Sequence, residues 1–279
     1  MSRRRELDQH RRQLDEIAEI MRSMKNLAYM ETRKLSRLLD AQGEALALIE
    51  AAASDFLTFY PDLARLPVGG QRLVLLIGSE RGFCGDFNEA LLKAAAGELA
   101  GAHLIAVGSR ITARLAENAA GATLLQGAGV AEEIGAALLS LSAAIARFQA
   151  HELALSLVVW HHRNGREDPV RSTLLPPFAD REPNRPQGHA PLLYLRPDRF
   201  YADLVEHYLM AVLHEIFYTS LMAENQRRIQ HLEGAIRRLD DRSAEFARQS
   251  RVLRQEEITE EIEVILLSAE AGSLRPGSP

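Results

Sequence analysis

The sequence predicts an α/β protein in which a long antiparallel two-helix coiled coil, made from both ends of the chain, carries a central α/β domain. Three observations predict this fold class. Heptad patterns of apolar residues run through both ends of the chain, as in coiled coils. Between them, short apolar runs alternate with helical stretches, which is typical of a mostly parallel sheet covered by helices. Proline, which interrupts helices, is absent from residues 1–60 and 198–275.

The first segment, residues 1–60, predicts one long helix. Steps of three and four residues from Leu7 to Phe56 follow an apolar stripe with few polar interruptions. The positions of this predicted seam are Leu7, His10, Leu14, Ile17, Met21, Met24, Ala28, Glu31, Leu35, Leu38, Gln42, Ala45, Ile49, Ala52 and Phe56. Roughly fifty helical residues span about 75 Å, so the helix is longer than a domain of ordinary size needs.

The central segment, residues 70–195, predicts a Rossmann-like α/β domain. The predicted strands are 72–77, 103–108, 122–127, 152–162 and 169–177, and the predicted helices begin near Asn88 and cover 109–118 and 130–149. The sequence RNGRED predicts a turn between the last two strands, and the proline-rich stretch 176–191 predicts an irregular loop.

The last segment, residues 198–270, predicts a second long helix. Its heptad seam is clearest at Ile229, Leu232, Ile236, Leu239, Ser243, Phe246, Ser250 and Leu253. A wider apolar face precedes the seam, at Leu204, Tyr208, Leu209, Val212, Leu213, Ile216 and Phe217. A face of that width predicts packing on a domain as well as on one helix. We expect the two long helices to pair antiparallel within one chain.

The composition excludes several classes of protein. The chain has 279 residues and a formal net charge of −5, which argues against a protein built to coat nucleic acid. Its single cysteine, Cys84, excludes an internal disulfide framework and a cysteine-rich metal site. No apolar run approaches the roughly 20 residues that span a bilayer, so we expect no direct transmembrane span. The N-terminal arginines are mixed with acidic residues, which a mitochondrial transit peptide avoids.

The stretch GSERGFCGDFN, Gly78–Asn88, is the candidate ligand loop, and we call it the motif loop. Glycines after a strand and before a helix are typical of phosphate cradles. However, the lysine and hydroxyl residue of a P-loop are missing, and Glu80 and Asp86 add negative charge. The motif loop is therefore interpreted as a strand-to-helix turn that needs positive φ, with no bound nucleotide and no other cofactor.

Three further side chains have chemistry that an active site could use. Cys84 lies near a predicted helix N-terminus, which would lower the pKa of its thiol, but no partner base can be assigned from the sequence. His161 and His162 end a predicted strand, where adjacent residues point to opposite faces. They make a poor metal pair and are expected at the surface, and no metal site is predicted.

Two features of the helices suggest partners. Met21 and Met24 lie on the predicted seam, where they fit helix packing and also a soft surface for a partner. The arginine pairs 227–228 and 237–238 flank seam positions. They are interpreted as a solvated helix face, or as a contact to an acidic partner.

Three stretches also match, in order, the motifs of one known family. The motif loop is similar to the family sequence Ser-Asp-Arg-Gly-Leu-Cys-Gly-Gly-Phe-Asn, and the matching residues are Arg81, Gly82, Cys84, Gly85, Phe87 and Asn88. In IMRSMKNLA, Met24 and Lys25 match a Met-Lys pair. In RQEEITEEIEVILLSAEA, the matching residues are Arg254, Gln255, Ile258 and Thr259. With YLRPDRFYADLVEHYL, which is similar to the start of the C-terminal helix, the chain resembles the gamma subunit of the rotary F-type ATP synthase from end to end.

The resemblance implies a mechanical, non-catalytic role. The coiled coil would sit inside a ring of alpha and beta ATPase subunits, and the α/β domain would rest on the epsilon subunit and the membrane c-ring. The chain would couple ion movement to ATP synthesis or hydrolysis, as a peripheral protein on the cytoplasmic face of a bacterial inner membrane. The implied rotor–stator coupling residues are Met24, Lys25, Arg254, Gln255 and Thr259. Antiparallel pairing leads us to expect Lys25 and Arg254 at one level of the shaft.

Some positions depart from the family pattern. Asp86 replaces the second glycine of the motif loop, and AYMETRK lacks the small residues that follow the family's Met-Lys pair. These differences suggest a divergent branch. Two alternatives stay open: a coiled-coil scaffold or adaptor that dimerises through its seam, and a nucleotide-binding α/β enzyme that uses the motif loop, with Asp86 on a metal.

Overall fold

A computed structural model describes residues 3–64, 70–116, 121–149, 154–178 and 189–273 of the chain. Its helices are α1 (Arg3–Phe59), α2 (Phe87–Ala95), α3 (Ser109–Leu115), α4 (Ile134–Gln149) and α5 (Pro197–Ser273). Its strands are β1 (Gly70–Ile77), β2 (His103–Val107), β3 (Thr123–Leu125), β4 (Ala154–His161) and β5 (Val170–Leu175). The predicted fold class is confirmed, with strands and helices close to their predicted positions. Most of the predicted loop 176–191 lies outside the described residues.

The five strands form one sheet in the order β3-β2-β1-β4-β5. β1 pairs in parallel with β2 and β4, β2 pairs in parallel with β3, and β5 runs antiparallel to β4. Helices cover both faces, so the central strand β1 is apolar throughout its second half. Leu73, Leu75 and Ile77 face α4, α1 and α5, whereas Val74 and Leu76 face α2 and α3.

Residues 27–231 form one compact unit, which holds the sheet and the inner parts of both long helices. In it, α1 contributes Leu35 and Leu46 to the main hydrophobic cluster, and α5 contributes Val212 and Ile216. Gln42 on α1 donates a hydrogen bond to the backbone oxygen of Ala211 on α5, at 2.9 Å. The wide apolar face predicted for the last helix is therefore buried on the α/β domain, as expected.

Residues 3–26 and 232–273 belong to a second compact unit. Here α1 and α5 pair antiparallel, as their contacts show: the residue numbers on α1 rise while those of the partners on α5 fall. The pairs are Arg4–Glu257, Asp8–Ser250, His10–Phe246, Asp15–Ser243, Arg22–Asp240 and Lys25–Glu233. The predicted intrachain coiled coil is thus confirmed. The predicted domain bounds 1–60, 70–195 and 198–270 stay a prediction, since the compact units group residues by contact and not by segment.

Three of the fifteen predicted seam positions on α1 were wrong by one residue. The seam was expected at Ile17, Ala45 and Ala52, but the buried residues are Ala18, Leu46 and Ala53, at 1%, 8% and 0% exposure. Ile17 is 43% exposed. From a shared position such as Leu14, residues three and four ahead both lie on the same side of the helix. Alternating steps of three and four therefore selected one of two adjacent positions on that side, and the packed structure buries the other one at these three places.

Among the described residues, no helix is both long and apolar enough to cross a membrane.

Candidate functional site

The motif loop is a tight turn between β1 and α2. Gly85 has a φ of +64°, which confirms the predicted need for positive φ, and Phe83 has a φ of +62° although it has a side chain. Asn88 closes the loop, because its side chain accepts a hydrogen bond from Ser79 N at 3.0 Å and donates one to Ser79 Oγ at 2.8 Å. A side chain at Gly78 would collide with Ile111, so glycine there permits close packing against α3.

A buried ion pair on α5 holds this turn in place. Glu224 and Arg228 are only 2% and 4% exposed, and they pair with each other one helical turn apart. The Glu224 carboxylate accepts backbone N–H bonds from Glu80 and Arg81, both at 3.2 Å. Arg228 donates to the backbone oxygen of Gly82 at 3.0 Å. Five polar groups of the loop and helix are thereby satisfied away from water.

The electrostatics of this pair are dominated by its burial. Desolvation raises the pKa of the Glu224 carboxyl, and the Arg228 charge and the two N–H donors act in the opposite direction. Sequence reasoning missed Glu224. The available signal was a Glu and an Arg four residues apart, between the wide apolar face and the start of the heptad seam, which is the spacing of a helical ion pair. Arg228 was expected on a solvated face, and that expectation was wrong because the motif loop covers it.

A second ion pair joins the outside of the loop to α5. Arg227 donates to Asp86 at 2.5 Å and to the backbone oxygen of Glu167, in the β4–β5 turn, also at 2.5 Å. Asp86 is the residue that departs from the family motif, and Arg227 neutralises it. Arg227 therefore has an acidic partner within its own chain.

An open cleft of about 720 Å³ lies between the motif loop, the β4–β5 turn and α5. Its charged lining is mixed in sign: Asp86, Arg163, Arg166, Glu167, Asp168, Arg227. Ligand pockets are more often apolar with a few polar groups, so this lining is that of a polar surface.

Cys84 is unsuited to nucleophilic chemistry. It is 5% exposed and packs against Phe87 and Ala223. Burial raises the pKa of its thiol, although the hydrogen bond to Ser79 acts to lower it. The expected lowering of the pKa by a helix N-terminus was therefore wrong.

The two histidines at the end of β4 are buried, which corrects their expected surface position. His161 and His162 are 5% and 0% exposed. His161 bonds Ser172 on β5 at 3.1 Å, and His162 donates to the backbone oxygen of Phe87 at 2.8 Å. Burial lowers the pKa of His161 to about 4 and also lowers that of His162. Both are therefore neutral structural groups, covered by elements that the local sequence does not reveal.

The carboxyl edge of the parallel strands, where α/β folds usually hold ligands, is filled by Glu80. Its carboxylate accepts N–H bonds from Ser109 at 2.9 Å and Gly127 at 2.8 Å, and a third bond from the Ser109 hydroxyl. Burial alone would raise the pKa of Glu80, but these hydrogen bonds prevail and lower it. The chain's own carboxylate thus takes the donors that a phosphate would use. The described residues include no group of three or more His, Cys, Asp or Glu placed to hold a metal ion.

The predicted rotor–stator residues lie on the paired helices of the second unit. Lys25 pairs with Glu233 at 3.4 Å, Met24 is half-buried, and Arg254 and Gln255 are exposed. Thr259 is exposed and donates to the backbone oxygen of Gln255 at 2.9 Å, within α5.

Lys25 and Arg254 do not share one level of the helix pair, which corrects that expectation. Lys25 lies opposite Glu233, whereas the contacts Asp8–Ser250 and Arg4–Glu257 bracket Arg254. Glu233 and Arg254 are separated by about 30 Å along α5, at 1.5 Å per residue. Their positions near the two ends of the chain suggested that Lys25 and Arg254 would be close. However, the start of α1 lies opposite Glu257, and α5 continues beyond it to Ser273.

One family model matches nearly the whole chain, and solved structures share its fold. The family model described as ATP synthase matches residues 3–271. A chain of the Euglena gracilis mitochondrial ATP synthase (OSCP/F1/c-ring, rotational state 3) is similar at a TM-score of 0.62 and 14% identity, covering 99% of this chain and 97% of that one. A chain from the rotor of the same organism's mitochondrial ATP synthase is similar at a TM-score of 0.58 and 12% identity, and the match covers 91% of this chain and 98% of that one. A chain from the central stalk and c-ring of the Tetrahymena thermophila mitochondrial ATP synthase is similar at a TM-score of 0.51 and 14% identity, and the match covers 77% of this chain and 99% of that one. No curated protein sequence matches significantly.

Proposed function

The chain belongs to the ATP synthase gamma-subunit family, and from this premise we propose that it is the central rotor shaft of an F-type ATP synthase. The observation that carries the proposal is a family match over residues 3–271, which includes both long helices and the domain between them. The antiparallel pairing of the helices within one chain supports it, because a shaft needs a stiff element that does not depend on a second copy.

The proposed partners are the alpha and beta ATPase subunits around the helix pair, and the epsilon subunit and the c-ring at the α/β domain. The structural neighbours were solved in assemblies described as containing F1 and the c-ring, or as a rotor and central stalk. The proposed location is peripheral, on the cytoplasmic face of a bacterial inner membrane. Catalysis would belong to the partner subunits, and this chain would transmit ion-driven rotation to them.

The proposed rotor–stator contacts fall at two separate levels. Arg254, Gln255 and Thr259 are exposed on α5 and available to a surrounding ring. Met24 and Lys25 lie about 30 Å away along the helix pair, and an acidic group of a partner would compete with Glu233 for Lys25. The two sets would therefore report on different parts of the catalytic ring.

Co-expression tests the proposed function. The tagged chain would be produced with the alpha, beta and epsilon ATPase subunits of the same organism, purified through the tag and assayed for ATP hydrolysis. We expect a stoichiometric complex with ATPase activity, whereas a control without this chain should yield no such complex through the tag. Recovery of the chain alone as a homodimer would favour the scaffold alternative, and micromolar ATP binding by the chain alone would favour the enzyme alternative.

A further inference from the structure

Two loops at the carboxyl edge of the sheet hold the two long helices. The motif loop follows β1 and is bound by α5 through Glu224, Arg227 and Arg228. The segment 127–133 follows β3 and is bound by α1. Glu31 on α1 accepts the N–H of Ala131 at 2.7 Å, and Lys34 pairs with Glu132. An edge that usually faces a ligand here faces the protein's own helices.

These two loops are also joined to each other. The Glu80 carboxylate of the motif loop accepts the N–H of Gly127 at 2.8 Å. The Arg81 side chain lies against Gly129, where an added Cβ would come within 2.6 Å of its Nε. The absence of a side chain at Gly129 leaves room for the Arg81 side chain to pass over the segment 127–133. We call the combined set, residues 80–86 with 127–133, the polar collar.

The polar collar contacts both helices near the boundary of their compact unit. That unit covers residues 27–231, so Glu31 lies about one turn inside the boundary on α1, and Arg228 about one turn inside it on α5. The Gln42–Ala211 bond sets the pairing of the helices within the unit. Glu31 precedes Gln42 by about three turns of α1, so in the antiparallel pair it lies opposite about residue 222 of α5, close to Glu224.

We propose that the polar collar is the joint through which torque passes between the α/β domain and the segments of α1 and α5 that pack on it within residues 27–231. This proposal rests on the rotor function proposed above. Apolar packing, which dominates the rest of the unit, is non-directional and resists separation more than sliding. Hydrogen bonds and ion pairs have a preferred geometry. Bonds from one domain to both helices therefore resist rotation of the helices within that domain.

The first test weakens the polar collar on both helices without touching its buried pair. In the assembled enzyme, Glu31→Ala is combined with Arg227→Ala. The matched control is Arg114→Ala, which breaks a similar exposed ion pair to Glu89, between α2 and α3, at 2.6 Å. Two quantities are measured: ATP hydrolysis by the detached catalytic sector, and ions pumped per ATP by the whole enzyme in vesicles.

We expect the double variant to hydrolyse ATP within twofold of wild type in the detached sector, and to pump at least threefold fewer ions per ATP. The control should change neither quantity. Unchanged pumping per ATP would overturn the proposal, and so would a parallel loss of both activities, which indicates a merely structural role. If the wild-type chain assembles with no ATPase subunits, the rotor function fails instead, and the two failures are distinguishable.

A cross-link gives an independent test in the same background. Cys84 and Ala223 pack together between the motif loop and α5, so Ala223→Cys places two thiols there. An added oxidant, copper phenanthroline, takes two electrons from the pair and the thiols lose their protons as the disulfide forms. We expect the disulfide, verified by mass, to restore at least half of the lost pumping per ATP, and reduction to remove the gain. A verified disulfide without restored pumping would contradict the joint.

Discussion

Glu224 and Arg228 stand one turn apart on α5 and form an ion pair that is almost wholly buried, at 2% and 4% exposure. Arg228 also donates to the side-chain oxygen of Asn225, and the pair bonds three consecutive residues of the motif loop, from Glu80 to Gly82. The most recognisable motif of the sequence is therefore held by two charges that lie more than 140 residues away along the chain.

Breaking this ion pair should lower the free energy of unfolding more than replacing both of its residues. Glu224→Ala leaves the Arg228 charge buried without its partner, so we expect a loss of about 3–5 kcal/mol in the free energy of unfolding. The double variant Glu224→Leu/Arg228→Met should recover only part of that loss, because the backbone groups of Glu80, Arg81 and Gly82 then lose their partners. Urea unfolding of the full chain measures both, with Arg114→Ala as an exposed control expected to cost about 0–1 kcal/mol. A single variant as stable as the control would disprove the assigned burial.

His161 should make stability fall between pH 6.5 and about 4. Its folded pKa of about 4 lies below the ordinary value of 6.5, so its contribution is complete above pH 6.5 and is lost as the pH falls toward 4. A shift of that size corresponds to up to about 3 kcal/mol. Unfolding free energies from pH 7 to 4 should decline more steeply in wild type than in His161→Gln. Parallel pH profiles would show that His161 is accessible to protons in the folded state.

Glu80 should act in a lower pH window. Hydrogen bonds from Ser109 and Gly127 lower its pKa below the ordinary 4.5, despite burial. Its contribution is therefore present above pH 4.5 and is lost as the pH falls through the folded pKa. We expect Glu80→Gln to be less stable than wild type at pH 7, and the difference to shrink below pH 4.5. A difference that stays constant down to pH 3 would argue against an ionised Glu80.

Lys25 allows a test that separates its in-chain pair from a partner contact. Lys25→Glu opposes Glu233 with a like charge, but this pair is only partly buried, with side chains 26% and 38% exposed, so it contributes little and assembly should persist. We expect fewer ions pumped per ATP hydrolysed in reconstituted vesicles, since about 1.4 kcal/mol in a barrier changes a rate tenfold. The charge swap Lys25→Glu/Glu233→Lys restores the in-chain pair. If the swap also restores pumping, Lys25 acts within the shaft and not on a partner.

Arg254 provides the comparison at the other level of the helix pair. It is exposed and lies near the contact Arg4–Glu257. We expect Arg254→Glu to leave assembly largely intact and to lower pumping per ATP, measured in the same vesicles. Normal pumping with an unchanged ATPase rate would remove Arg254 from the proposed rotor–stator contacts, and failed assembly would make it a structural residue.

The sequence by itself determined the elements and their order. Heptad spacing predicted both long helices, and alternating apolar runs predicted the strands of a mostly parallel sheet. Absence of proline set the extent of α1 and α5, and the glycines of the motif loop predicted the positive φ at Gly85. These features depend on residues that are neighbours along the chain, so they can be read without knowing what packs on them.

Only the tertiary structure decided which side of each element is covered. It selected Ala18 over Ile17 at the seam and buried His161 and Arg228, and it placed Arg254 far from Lys25. It also turned Glu80, an unfavourable charge for a phosphate site, into the group that fills that edge. In each case the deciding partner is distant in sequence. Periodicity specifies where the turns of a helix or strand recur, but burial and the state of a charge depend on which surface meets them.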